Sequence, residues 1–307
     1  MNDIIEKQDT EEFQLLLQAR TGTYKLATFW QVVQVIMTVV VPVIFSLVAL
    51  HWTWLRPYLA CYTLAASSID VLIVDRIHRS FVKKAALFSE MFDTRLFQLP
   101  WNAFVAGKPV PPEDVLSASK YCPSGQMDKL IGWYPVVVQH VPLSVARLVC
   151  QRTNLSYDSR IRARFSFILM WVPVVYVVAL FPLALAQDLS FQDMVLNVVS
   201  PFSAVLIWSV RERYRQLDAI SANDALRADV ESAWTQLIPD SENPAEDSES
   251  RARQLQDGIF SRRSQSPLTF PLVYRFMRSS SEDVMNYGAD RLLRQAGYTV
   301  PAGGAQV

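Results

Sequence analysis

Twenty-one consecutive residues without a charge, Trp30–Leu50, constrain this chain more than any other feature of it. A hydrocarbon core about 30 Å thick is crossed by roughly 20 helical residues. Inside lipid, a backbone that cannot reach water must satisfy its own N–H and C=O groups, which a helix does. Three further runs read as spans: Pro57–Val74, shorter and interrupted by Asp70, then Phe165–Gln187 and Phe191–Val210. The links His51–Arg56 and Asp188–Ser190 are so short that each pair of spans must form an antiparallel hairpin. Charged residues make up 19% of the chain, below the ~25% of a soluble domain, and the deficit is concentrated in these runs. The expected fold is therefore an all-α membrane protein of two transmembrane hairpins. The central segment and the C-terminal region are expected to build a helical domain beside them.

Orientation follows from Lys and Arg, which are retained on the cytoplasmic side. Three lie in residues 1–29, thirteen in 75–164 and twelve in 211–307, leaving only Arg56 in a hairpin link. Residues 1–29 are thus expected as a cytoplasmic N-terminal helix, 75–164 as a cytoplasmic helical segment and 211–307 as a cytoplasmic C-terminal region. Trp30, Trp52, Trp54, Tyr58 and Trp208 sit at span ends, where amphipathic rings favour the interface. The first residues are acidic and polar and carry no signal-sequence pattern, so insertion through the spans themselves is expected.

Polar residues inside the spans fall on helical faces. Gln31, Gln34, Thr38 and Ser46 share one in the first span, Thr63, Ser67 and Asp70 one in the second, and Asp193, Asn197 and Ser200 one in the fourth. Two readings stand: hydrogen bonds between helices of a bundle, or a water-lined path with Gln34, Thr38, Ser67, Asp70, Asn197 and Ser200 as candidate pore-lining residues. Arg76 is positioned in sequence to neutralise Asp70 at the interface. The third span is nearly all apolar and is expected to face lipid. The spans lack glycine, which excludes GxxxG packing, but Ala60, Cys61, Thr63, Ala65, Ala66, Ser67 and Ser68 would let another helix approach the second span. Prolines 42, 173, 182 and 201 can kink the bundle.

Outside the spans, Phe81, Ala85, Phe88, Phe92 and Leu96 form an amphipathic stripe continuing the second span, with Pro100 as its stop. Pro112, Glu113 and Asp114 open a short helix, and another is expected from Leu143 to Asn154. Leu226, Val230, Ala233 and Leu237 resemble a coiled-coil seam. Residues 240–250 read as a flexible link. Ser280 and Asp283 suggest the start of a last helix, with Met285, Ala289, Leu292 and Ala296 on one face and Gly297 as its stop.

Residues 75–164 hold thirteen basic and seven acidic side chains, and Arg147–Arg164 alone holds five arginines against Asp158. Guanidinium forks suit phosphates, but arginines directly before a span also suit anionic headgroups. Cys61, Cys122 and Cys150 are spaced for neither a metal site nor a disulfide framework. No phosphate-loop, dinucleotide, zinc-protease or serine-hydrolase string occurs, so no enzyme, catalytic residue, metal or cofactor is expected.

Several strings together carry a resemblance. EMFDTRLFQLPWN (90–102), LIGWYP (130–135), VCQRTNLSYDSRIRARF (149–165) and LQDGIFSRRSQSPLTFPLVYRFMR (255–278) resemble the SMODS-associating four-transmembrane effector family, from EEFQLLLQAR (11–20) onward. The resemblance implies a pore-forming effector of bacterial CBASS-type antiphage defence, in the inner membrane. It further implies a cyclic oligonucleotide second messenger made by a cGAS/DncV-like nucleotidyltransferase. A homo-oligomer in the lipid bilayer is expected because four thin spans can enclose a water path only if several copies contribute. Arg152, Asn154, Asp158, Arg160, Arg262 and Arg263 fall in the matching motifs and are the candidate ligand-binding residues. A constitutive channel or transporter subunit, and a non-conducting anchor for a partner, are the alternatives.

Overall fold

A computed structural model describes residues 2–186, 191–195, 199–237 and 244–299. Neither Pro nor Gly occurs from Tyr58 to Leu99 or from Leu143 to Val172, so nothing in those stretches breaks an i→i−4 ladder. Single helices consequently run through apolar and polar sequence alike. After α1 (Ile4–Gln8), α2 (Glu11–Val35) passes through a π turn (Ile36–Val40) into α3 (Val41–His51). A short 3₁₀ turn leads to α4 (Arg56–Ile69), a second π turn (Asp70–Val74) and α5 (Asp75–Leu96). The short α6 (Ala103–Ala106) and α7 (Pro112–Ser119) precede α8 (Leu143–Ala186). Then follow α9 (Phe191–Met194), α10 (Ser200–Leu237), α11 (Pro244–Gln265) and α12 (Pro271–Gln295).

Among the described residues three helices are long and apolar enough to cross a membrane: Glu11–Ala49, Thr53–Leu96 and Leu143–Ala179. The second, at 44 residues, is about 66 Å long, twice the hydrocarbon thickness, so half of it serves the globular end. The fourth expected span includes residues 196–198, which lie outside the described residues. Its described parts are α9 and the first residues of α10, which meet α8 through Phe202 against Tyr176 and Ser209 donating to the Leu169 carbonyl at 2.8 Å.

Pro42 explains the first π turn. Val41 donates to Ile36, one residue farther back than in an α-helix, and Pro42 has no N–H with which to continue that register to Met37. The Tyr62 hydroxyl of α4 donates to the Met37 carbonyl instead, at 2.9 Å. A side chain of the second span thus satisfies an acceptor that the first span strands in an apolar setting.

The stop of α5 differs from the expectation. The helix ends before Pro100, at Leu96, in a left-handed cap: Gln98 has φ 53°, Leu99 donates to Thr94 at 2.8 Å and Gln98 to Arg95 at 3.3 Å. The Arg147 fork then takes the carbonyls of Phe97 (2.6 Å) and Gln98 (3.0 Å). A glutamine occupies the position usually given to glycine because an arginine from α8 covers the free carbonyls.

Gly22 marks the closest approach between helices. A Cβ there would lie 2.5 Å from the Ala118 carbonyl oxygen and 2.9 Å from the Cys122 nitrogen, so α2 touches the end of α7 backbone to backbone.

The core sits at the globular end, where Phe13, Leu17, Phe88, Phe92, Phe97, Tyr134 and Leu148 are all buried with Ile259 and Leu293. The stripe on α5 is buried from Ala85 to Leu96 as expected. Other expectations change. The helix from Leu143 continues past Asn154, because nothing between it and the third span is a breaker. Val230 and Ala233 pack into this chain's own core and Leu226 lies over Gly258, so the seam is internal; the Leu237 side chain is outside the described residues. Pro244 starts a helix within the expected link, since proline at N1 and acids in the first turn favour one. Likewise α12 starts at Pro271, ahead of Ser280; Gly297, at φ 82°, ends it as expected. The third span exposes Phe167, Trp171, Val175 and Val178, but so does the second expose Leu64, Val71 and Leu72. Of the second span's small residues only Ala66 is buried, so among the described residues no helix covers that face.

Candidate functional site

Much of the motif polarity is consumed in a buried network. Tyr134 donates to Asp93 Oδ1 at 2.6 Å and accepts from Asn154 at 2.8 Å. Arg263 Nη1 reaches the other Asp93 oxygen at 2.5 Å. Burial, with the Asp93 charge beside it, pushes the Tyr134 hydroxyl well above its ordinary value. Burial works against the Arg263 charge, but the Asp93 carboxylate outweighs it and holds the guanidinium firmly protonated. Next to this set Arg253 pairs with Glu90 and Asp257, while Gln256 bridges Glu90 and Gln151. Asn154 and Arg263, two candidate ligand residues, therefore tie α5, α8 and α11 together. Sequence reasoning missed Glu90, Arg253 and Gln256; two charges and an amide in helices with an apolar stripe were the available signal.

The remaining candidates separate. Arg152 is engaged by Glu231 of α10 at 2.9 Å, and Arg160 is exposed. Asp158 accepts from Arg162 at 2.6 Å and from Asn223 at 2.7 Å. Burial tends to raise its carboxyl, but Arg162 and Asn223, with Arg262 near, hold it below the usual value. Arg162, expected from sequence with Arg160 and Arg164 to meet anionic headgroups before the third span, is instead a buried hub: its Nη1 also reaches Gln216 at 2.8 Å and the Pro267 carbonyl at 2.7 Å.

That carbonyl belongs to the extended segment Ser266–Phe270 between α11 and α12, which acts as a strap across three long helices. Gln31 of α2 donates to the Leu268 carbonyl at 3.0 Å and Gln216 of α10 donates to the same oxygen at 3.3 Å. Arg162 of α8 holds Pro267, and the Phe270 ring meets Phe165 of α8 and Trp208 of α10. Proline 267 and the missing helix register leave these carbonyls free to accept side chains.

On one side of the strap, α10 and α11 flank an open cleft of about 570 Å³ lined by Arg215, Ala222, Ala225, Ser261, Arg262 and Gln265 among others. Arg262 donates to the Ser266 hydroxyl and, at 2.6 Å, to the Ala219 carbonyl, while its Nε has no partner. Burial and the neighbouring Arg162 charge lower its affinity for the proton. On the other side lies a small cavity bordered by Gln31, Gln34, His78, Arg211 and Glu212.

Of the candidate pore residues, Gln34 and Asp70 meet: the Gln34 amide hydrogen-bonds the buried Asp70 carboxylate, whose Oδ1 is left without a partner. Asp70 opens the second π turn. The titratable groups facing it are Asp75, Arg211 and His78. Arg76 is exposed, and the basic side chain nearest in effect to Asp70 is instead Arg211 of α10. Thr38 returns its hydroxyl to the Gln34 carbonyl at 2.7 Å, and Ser67 is exposed. Asp193 pairs with Arg56 at 2.5 Å, joining the two hairpin ends, and so leaves the polar stripe assigned to it. Asn197 and the Ser200 side chain lie outside the described residues.

Among the described residues no group of three His, Cys, Asp or Glu side chains gathers for a metal, and the three cysteines are free.

The chain is 23% identical over 292 residues to a probable CBASS effector molecule of Bacillus cereus (strain VD146), spanning 91% of this chain and 94% of that protein. No solved structure matches. The family model described as the SMODS-associating 4TM effector domain matches residues 2–292, so this apolar, helical membrane chain belongs to the SMODS-associating 4TM effector family.

Proposed function

We propose that the protein is the membrane effector of a CBASS-like antiphage system. It sits in the bacterial inner membrane as a homo-oligomer, crosses it four times with both termini cytoplasmic, and senses a cyclic oligonucleotide from a cGAS/DncV-like nucleotidyltransferase. The response is a pore that arrests or kills the infected cell. The near full-length likeness to a probable CBASS effector supports the role. The observation that carries the mechanism is the strap: helices that are apolar over one half are bridged, over the other, by Pro267 and Leu268.

A single copy presents few polar faces and exposes much of its second and third spans, which favours several copies around a water path. Ligand energy counts for opening only as far as it differs between closed and open forms. A strap that contacts three long helices supplies such a difference. Co-expression with an active nucleotidyltransferase is expected to depolarise cells carrying this protein; cells that keep their membrane potential with the protein inserted would refute the proposal.

A further inference from the structure

We infer that the cleft between α10 and α11 binds a phosphodiester-bearing anion through Arg215, Ser261, Arg262 and Gln265, and that occupancy releases the strap at Ser266 and Pro267. The inference rests on the proposed function and assigns its sensor site.

Three observations converge. First, the cleft has the size of a small-molecule site and the donors that an anion needs. Arg215, Ser261, Arg262 and Gln265 line it, against the single carboxylate of Asp218, and the Arg215 guanidinium also reaches Glu212 at 3.4 Å. Its volume exists because α10 presents Ala219, Ala222 and Ala225 there.

Second, Arg262 is a partly buried motif arginine held by no carboxylate. Arg152, Arg253 and Arg263 are each paired with a carboxylate. Arg262 donates to a hydroxyl and a backbone carbonyl, both neutral, and its Nε goes without an acceptor. A phosphate oxygen pair is the better partner for such a fork, because a charged acceptor binds it about twice as strongly.

Third, what Arg262 holds is the strap. The Ser266 hydroxyl is its partner, and Ser266 in turn donates to the Arg262 carbonyl at 2.5 Å. Pro267 and Arg215 border both the cleft and the small cavity that contains Gln31 and Gln34. An anion that takes the Arg262 fork therefore frees Ser266, and the next two carbonyls along are those that hold α8, α10 and α2. No longer route is needed between ligand and spans.

The test uses the full-length protein in phosphatidylcholine nanodiscs, titrated with cyclic di- and trinucleotides of adenosine and guanosine. Two variants are compared with wild type. Ala225→Trp fills the cleft from its exposed wall and deletes no hydrogen bond, and Arg262→Lys keeps the charge while losing the fork. The inference predicts that one nucleotide binds wild type and binds both variants at least roughly tenfold more weakly, the weight of one charge-assisted hydrogen bond. Thermal stability of Ala225→Trp stays at the wild-type value. Undiminished binding in both variants overturns the cleft and leaves the effector role standing. If no nucleotide binds, but phosphatidylglycerol stabilises wild type and not Ala225→Trp, the site is a phosphodiester site for lipid and the nucleotide role falls. Indifference of wild type to nucleotides and to phosphatidylglycerol alike overturns both.

Discussion

Arg162 Nη1 donates to the Pro267 carbonyl at 2.7 Å, fastening the strap to the helix that carries the third span. The same guanidinium holds Asp158 and Gln216 and is only 6% exposed. Removing it strands a carboxylate, an amide and a carbonyl together. Arg162→Ala is expected to cost about 1–3 kcal/mol, because the guanidinium and its amide and carbonyl partners are buried while the Asp158 side chain keeps 42% of its surface in contact with solvent. Denaturant titration in detergent measures it, and a loss below about 1 kcal/mol would mean that the cluster behaves as a surface pair.

Asp158 gives that cluster a pH signature. Its carboxyl is held below the ordinary 3.8 by Arg162 and Asn223 against the effect of burial. A depressed carboxylate contributes stability above its unfolded value and loses it as pH falls through its folded one. The stability gap between wild type and Asp158→Asn should thus be constant from pH 7 to about pH 5 and shrink in more acid solution. A gap that widens on acidification would contradict the assignment.

Gly22 should tolerate no side chain. A Cβ would press on the Ala118 carbonyl at 2.5 Å, and backbone cannot swing aside. Gly22→Ala is expected to destabilise by about 1–3 kcal/mol through overpacking, despite alanine's better helix propensity. At Gly258 the nearest atom is the tip of the Leu226 side chain at 2.6 Å, which can rotate, so Gly258→Ala should be milder. Parallel melting curves of the two variants decide this, and an equal or reversed order would contradict it.

The account of the first π turn makes a coupled prediction. Tyr62→Phe leaves the Met37 carbonyl bare and should cost about 1–2 kcal/mol. Pro42→Ala restores an N–H that can take over this carbonyl, so the Tyr62→Phe cost should fall in the Pro42→Ala background. A double-mutant cycle reads the coupling directly; additive losses would show that Tyr62 and Pro42 act independently.

How much of this was legible beforehand varies with the kind of signal. Charge-free runs and the α5 stripe announce helices, and Trp30–Leu50 and Phe88–Leu96 are helical as expected. Boundaries set by tertiary partners were not legible: α5 ends at Leu96 because Arg147, fifty residues away, caps it. The continuation of α8 beyond Asn154 was hidden by the polarity of residues 151–164, which is helix-permissive. At the candidate site, the sequence singled out Arg262, Asp158, Gln34 and Asp70 as polar groups in telling places. Which of them meet was set by pairings 36 to more than 200 residues apart, such as Gln31 with Leu268, |i−j| 237. The strap had no helical period to announce it.

The most direct test of the central claim is leakage. Purified protein in dye-loaded liposomes would receive cyclic di- and trinucleotides one at a time. The account predicts that release begins, or stops, with a single nucleotide. Release that ignores every nucleotide, or no release from vesicles with the protein correctly inserted, would contradict it.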